Sequence, residues 1–218
     1  MALPALLFAL PLVTALILLV NRNPAVRNTL VRVSALLMGV LSVAVGVMYF
    51  GHPFKIGVDS PLVRFLMMAV DGLAALTVLY FCVKYKRYLT ALLGLAQFFL
   101  IVAFEFHAGS YARSVWDFNI DNLSIIMILI AGIIGGLIAV YSLGYMAVYH
   151  RKHVDVKDRR SFFFFVVFLF LSAMFGLVMS NNLLYMYTFW EITSLCSFLL
   201  IGYSGTNEAI HNSFKALS

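Results

Sequence analysis

Glu191 and Asp71 are carboxylic acids set near the middle of long apolar runs, and Glu105 is a third near the outer end of another. An ionisable group in hydrocarbon costs at least about 2.5–3.5 kcal/mol on insertion scales, so each one is a functional candidate by default. Such a carboxyl can hold a proton and release it, because burial and a nearby cation move its proton affinity toward neutrality. On a helix, Tyr187 and Thr188 fall four and three residues before Glu191, and Ser194 falls three after it. That spacing draws a polar stripe along the face of the carboxylate, with room for water or for a basic partner on a neighbouring helix. The alternative is a structural carboxylate, permanently protonated or salt-bridged, that locks two helices together. Asp71 stands among Leu, Met, Ala and Val, with Gly72 and Thr77 near and no basic residue within a turn. It is either an ion-path residue or a satisfied packing group, and Gln97, midway along the next apolar run, is an available hydrogen-bond mate. Glu105 lies close enough to a membrane surface to reach interfacial water.

Other reactive residue types lack the company that chemistry needs. His150 and His153 flank Arg151 and Lys152 in a basic loop, with no cysteine or carboxylate to complete a ligand set, so no metal site is expected. Cys82 and Cys196 are far apart and each sits in an apolar stretch, which reads as two buried small hydrophobes. No glycine-rich phosphate loop, nucleophile elbow or thiolate motif is present, and no cofactor is expected in this chain. Asp121, three residues before Ser124, has the form of a helix start, where a carboxylate caps free N–H groups.

The elements that must position these groups follow from composition. Of 218 residues, 63% are hydrophobic and 11% charged, against about 25% charged in soluble domains. At roughly 20 residues per membrane-spanning helix, the length leaves room for six to eight spans and no soluble domain. Apolar runs separated by charge or proline predict about seven, over 2–20, 29–51, 62–83, 89–108, 123–149, 161–179 and 183–203. The first is taken as a helix and not as a cleaved signal, because Pro4 and Pro11 interrupt it and no basic region precedes it. No alternating strand pattern of barrel type occurs, so the expected fold is an all-α polytopic transmembrane bundle. Residues 1–120 make a four-helix N-terminal region and 121–218 a second region. In the fifth span Gly132, Gly135, Gly136 and Ala139 offer a close helix approach. The Phe162–Phe165 run with Phe168, Phe170 and Phe175 makes the sixth span bulky all round, for lipid or core contact.

Charge sets the expected orientation. The seven-span threading puts Arg22, Arg27, Arg32, Lys84, Lys86, Arg87, Arg151, Lys152, Lys157, Arg159, Arg160 and Lys215 on one face, which is 12 of the 15 basic residues. Lys55, Arg64 and Arg113 fall on the other. Basic residues near span ends accumulate on the cytoplasmic side, so the N-terminus is expected outside and the C-terminus inside, in the cell's inner membrane. The net charge of +6 is read as topology and not as nucleic-acid binding.

The run from Ser180 to Tyr203, with Asn182-Leu183-Leu184, Met186-Tyr187, Trp190-Glu191, Leu195-Cys196-Ser197 and Leu199-Leu200-Ile201-Gly202, is specific. It resembles the corresponding helix of the antiporter-like subunits of respiratory complex I, the membrane-bound group 4 hydrogenases and the multisubunit sodium/proton antiporters. Asp121-Asn122-Leu123-Ser124, followed by Tyr141-Ser142-Leu143-Gly144-Tyr145-Met146, resembles another helix of that family, and Phe214-Lys215-Ala216 resembles the start of the next. The three blocks come in the family's order over about 121–218. The third and fourth spans look more like the large subunits of energy-converting hydrogenases.

This resemblance implies ion translocation. It makes Glu191 part of a proton path, paired in the family with a lysine on a later, broken helix that lies beyond Ser218 together with the second, inverted repeat. Lys215 stands at a helix entrance on that path and is not the broken-helix lysine. The energy would come from a redox module in other subunits, linked to ferredoxin or NADH and carrying iron–sulfur or hydrogenase chemistry, while further membrane chains would supply the remaining antiporter helices. Two readings compete with conduction: a non-conducting anchor or assembly element, and a free-standing secondary transporter.

Overall fold

A computed structural model describes residues 2–21, 23–58, 60–108, 116–153 and 158–217, excepting the side chains of 2, 61, 105, 106, 108 and 217. The chain runs α1 (Ala2–Val20), α2 (Pro24–Tyr49), β1 (Phe54–Ile56), α3 (Pro61–Lys84), α4 (Tyr88–Ala108), β2 (Phe118–Ile120) and α5 (Asn122–Leu129). A π-helical turn over Ile130–Ile134 leads into α6 (Gly135–Lys152), followed by α7 (Arg160–Met179), α8 (Leu183–Ile201) and α9 (Asn207–Leu217). Six helical stretches are long and apolar enough to cross a membrane, and α4 contributes a shorter apolar stretch over Tyr88–Phe104. The protein is an all-α, multi-pass membrane bundle, and the seven apolar helical stretches among the described residues lie where the apolar runs fall.

Helix boundaries follow local chemistry. The second span opens at Pro24 and not near 29, because the Asn23 side chain accepts from the Ala25 N–H at 3.0 Å and proline is preorganised for a first turn. Arg27, inside that early turn, is 6% exposed and lies 6.0 Å from the centre of the Phe164 ring, which shelters its charge. Asp121 caps α5, accepting from the Ser124 N–H at 2.8 Å, and this bond holds its carboxyl below the usual range. Asp121→Ala is therefore expected to lower stability by about 1 kcal/mol, read as an earlier unfolding transition in detergent, while Asp121→Asn leaves it nearly unchanged.

The bundle has two packing regions joined by α7 and α8. α7 lies between α1 and α8, and Phe164, Phe168 and Phe175, which share one of its faces, are buried in one core with residues of α1, α2 and α5. Gly132 and Gly136 face α2, where a Cβ would meet Ser42 and the Ala35 carbonyl, whereas Gly135 faces Leu171 of α7. The glycines thus serve two neighbours. α3 and α4 pack on each other, α3 also packs on α8, and Cys82, Ala91, Phe198 and Phe214 form a second, smaller core that includes α9. Both cysteines are buried free thiols.

The two ends of the bundle differ in chemistry. At one end Arg87 meets His211 at 2.9 Å, His150 meets the Tyr203 hydroxyl at 2.9 Å, and Ser161 donates to the Asn21 carbonyl at 3.3 Å. Asp158 accepts from Arg160 there at 2.6 Å, which holds its carboxyl down at about 2. The described basic residues Lys84, Lys86, Arg87, Arg151, Lys152, Arg159 and Arg160 belong to this end, and Arg22 and Lys157 lie outside the described residues. At the opposite end β1 and β2 pair antiparallel, Phe54 with Ile120 and Ile56 with Phe118. Buried Asp117 ties this end together: its carboxylate accepts from the Val58 N–H and the Asn182 side-chain amide, both at 2.8 Å, and its carbonyl accepts from the Asn181 N–H at 2.7 Å.

Candidate functional site

α8 carries the polar stripe, and its register decides what each residue meets. Successive residues rotate by about 100°, so Glu191 comes to lie between Tyr187 and Thr188 in angle, one turn further along the axis. The Tyr187 hydroxyl donates to Glu191 Oε1. Gln97 of α4 donates through Nε2 to the Tyr187 hydroxyl at 2.6 Å and reaches Glu191 Oε1 at 3.4 Å. The carboxylate is thus the end of a short chain of donors that runs from one helix to the next. Ser194 lines the same groove as Glu191, Tyr187 and Gln97, a space of about 950 Å³ between α3, α4 and α8 that extends to Thr90 near the basic end.

Thr188 belongs to a different contact. It is 1% exposed and donates to Asp71 Oδ2 of α3 at 3.1 Å, so the neighbouring positions 187 and 188 serve two separate carboxylates. Asp71 is itself 7% exposed, and its Oδ1 has no hydrogen-bond partner among the described residues. The expected Asp71–Gln97 pair does not form, because Gln97 faces Tyr187 and Glu191 instead. The reason is tertiary: α4 presents Gln97 at the level of the later turn of α8, whereas α3 presents Asp71 one turn earlier.

The remaining residues of the expected path lie elsewhere. Lys215 is an exposed residue in the last turn of α9 and not at a helix entrance; it does not line the Glu191 groove. Glu105 belongs to α4, and its side chain lies outside the described residues. Two residues have structural parts larger than their positions suggest. Gln97 is offered by the sequence as a mate for Asp71 and meets Tyr187 and Glu191 instead, and Asp117 gives no sequence sign of the three connections it holds.

Residues 106–155 match the family described as NADH-Ubiquinone oxidoreductase (complex I), chain 5 N-terminus, and residues 180–218 match NADH:quinone oxidoreductase/Mrp antiporter, TM. The second match contains the whole of α8 with Tyr187, Thr188 and Glu191. These two segments are antiporter-like. Among curated relatives, the Na(+)/H(+) antiporter subunit A1 of Staphylococcus haemolyticus is 37% identical over 103 residues, covering 47% of this chain and 12% of that protein. The subunit of the same name from Staphylococcus aureus strain Newman is 34% identical over 103 residues, with the same shares of each chain. The aligned region is thus a small part, 12%, of these relatives' own length.

Proposed function

We propose that this antiporter-like chain is an ion-translocating membrane subunit in which Glu191 takes up and releases a proton. The observation that carries this reading is the Gln97–Tyr187–Glu191 hydrogen-bonded chain, set within the bilayer segments and opening on a groove. Neutral donors such as this phenol and amide hold a carboxylate less firmly than a strong ion pair would, so Glu191 remains able to take up a proton. Glu191 has no Lys, Arg or His bonded to it among the described residues, which leaves the purely structural reading without its salt bridge.

In this proposal the chain works with further membrane subunits in a multisubunit complex in the cell's inner membrane, with the N-terminus outside and the basic face cytoplasmic. The names of the relatives point to exchange of Na⁺ for H⁺. The complex I description of residues 106–155 supports a second drive, in which a peripheral iron–sulfur, hydrogenase or NADH-oxidising module supplies the energy. The test is to purify the native complex, identify by mass spectrometry the chains that travel with this one, and reconstitute it in vesicles with a pH-sensitive dye inside. Proton movement on imposing a Na⁺ gradient supports exchange, and movement only on supplying a reductant supports redox coupling. Assembly with no proton movement under either drive overturns the proposal.

A further inference from the structure

Between α3, α4 and α8 there are two spaces, not one. The smaller, about 50 Å³, is lined by Arg64, Asp71, Tyr185 and Thr188, and lies toward the β1–β2 end, where α3 and α8 begin. The larger groove holds Gln97, Tyr187, Glu191 and Ser194 and runs the other way, toward the turn between α3 and α4 at the basic end. Asp71 and Thr188 line only the first, and Tyr187 and Glu191 only the second. The two carboxylates therefore face opposite ends of the bundle.

They are also close along the chain of contacts. Thr188, bonded to Asp71, precedes Glu191 by three residues, a rise of about 4.5 Å along α8. We infer that Asp71 and Glu191 carry the proton in series, Asp71 exchanging it with the β1–β2 side through the small cavity and Glu191 with the basic side through the groove. This rests on the proton-carrying reading of Glu191.

The arrangement has the parts that such a relay needs. The small cavity has room for a few waters, and the unbonded Asp71 Oδ1 is a vacant acceptor for one of them. A proton binds at the Asp71 carboxylate; its O–H bond then breaks as one forms on the Glu191 carboxylate, by way of water where the two spaces adjoin at Phe98 and Ile101, which line both. The single negative charge moves in the opposite sense, so no second charge enters the low-dielectric interior. Arg64 lies seven residues before Asp71 on α3, about 10 Å along the axis, and lines the same cavity.

The reconstituted native complex tests the inference with Asp71→Asn, Glu191→Gln and the wild type side by side. Both variants are expected to assemble and to lose at least tenfold in proton movement, with Asp71→Glu recovering part of it. Loss in Glu191→Gln with wild-type rates in Asp71→Asn overturns the series path and leaves the Glu191 reading standing, whereas wild-type rates in both overturn both. Sidedness guards against a merely structural effect of Asp71. With Cys82 and Cys196 replaced by Ala, the Asp71→Cys variant should react with a small membrane-impermeant thiol reagent only from the β1–β2 side. The Glu191→Cys variant should react only from the basic side. Reaction of both from one side, or of Asp71→Cys from neither, overturns the inference.

Discussion

Glutamine in place of Glu191 is expected to cut proton movement at least tenfold while the complex still assembles. The replacement keeps the size of the side chain and an oxygen that accepts from Tyr187 and Gln97, and it removes only the group that binds and releases a proton. The net change in hydrogen bonding is therefore small, about 1 kcal/mol or less. A scaffold role predicts the opposite pattern, with assembly lost or activity kept. Aspartate at 191 retains the titratable group but withdraws it by one methylene from the Tyr187 hydroxyl, so a partial rate is expected. Blue native gels give the assembly readout, and dye-loaded vesicles give the rate.

The second large effect is expected far from any titrating group. A Cβ on Gly176 of α7 would stand 2.5–2.7 Å from three ring atoms of Phe189 on α8, nearer than real side-chain carbons approach. The ring cannot swing away, because Phe189 is 3% exposed and is itself packed edge-on against Phe8 of α1 at 5.6 Å between centroids. Gly176→Val should therefore destabilise the protein by about 2–3 kcal/mol through overpacking, seen as a lower melting temperature in detergent and less protein in the membrane. Because Phe189 is two residues before Glu191, the strain also shifts the helix that holds the carboxylate. Pairing Gly176→Ala with Phe189→Leu should recover most of the stability lost in Gly176→Ala alone. Failure of that rescue would mean that the α7–α8 contact is not what the glycine serves.

How much of this could be seen beforehand depended on the kind of force involved. Hydropathy placed the apolar helices and picked out Glu191 and Asp71, since desolvation acts on every carboxyl in a span regardless of its neighbours. Helical spacing placed Tyr187 beside Glu191, because an i, i+4 contact is local. The same spacing assigned Thr188 to Glu191, yet its hydroxyl meets Asp71, and only the packing of α3 on α8 decides that. Gln97 was paired with the wrong carboxyl for the same reason. The β1–β2 pair and the Asp117 knot were illegible because three-residue strands leave no periodicity and their bonds join segments 59 and 65 positions apart. The second span opens at Pro24, earlier than expected, and Arg27 in its first turns is buried under Phe164, a tertiary contact.

The central claim is that Glu191 changes its protonation during turnover. Infrared difference spectroscopy of the reconstituted complex, recorded before and after the driving gradient is imposed, tests it directly. A protonated-carboxyl stretch that rises and falls with the gradient, shifts on H/D exchange and is missing from Glu191→Gln is the predicted result. Difference spectra of wild type and Glu191→Gln that coincide throughout the carboxyl region would contradict it.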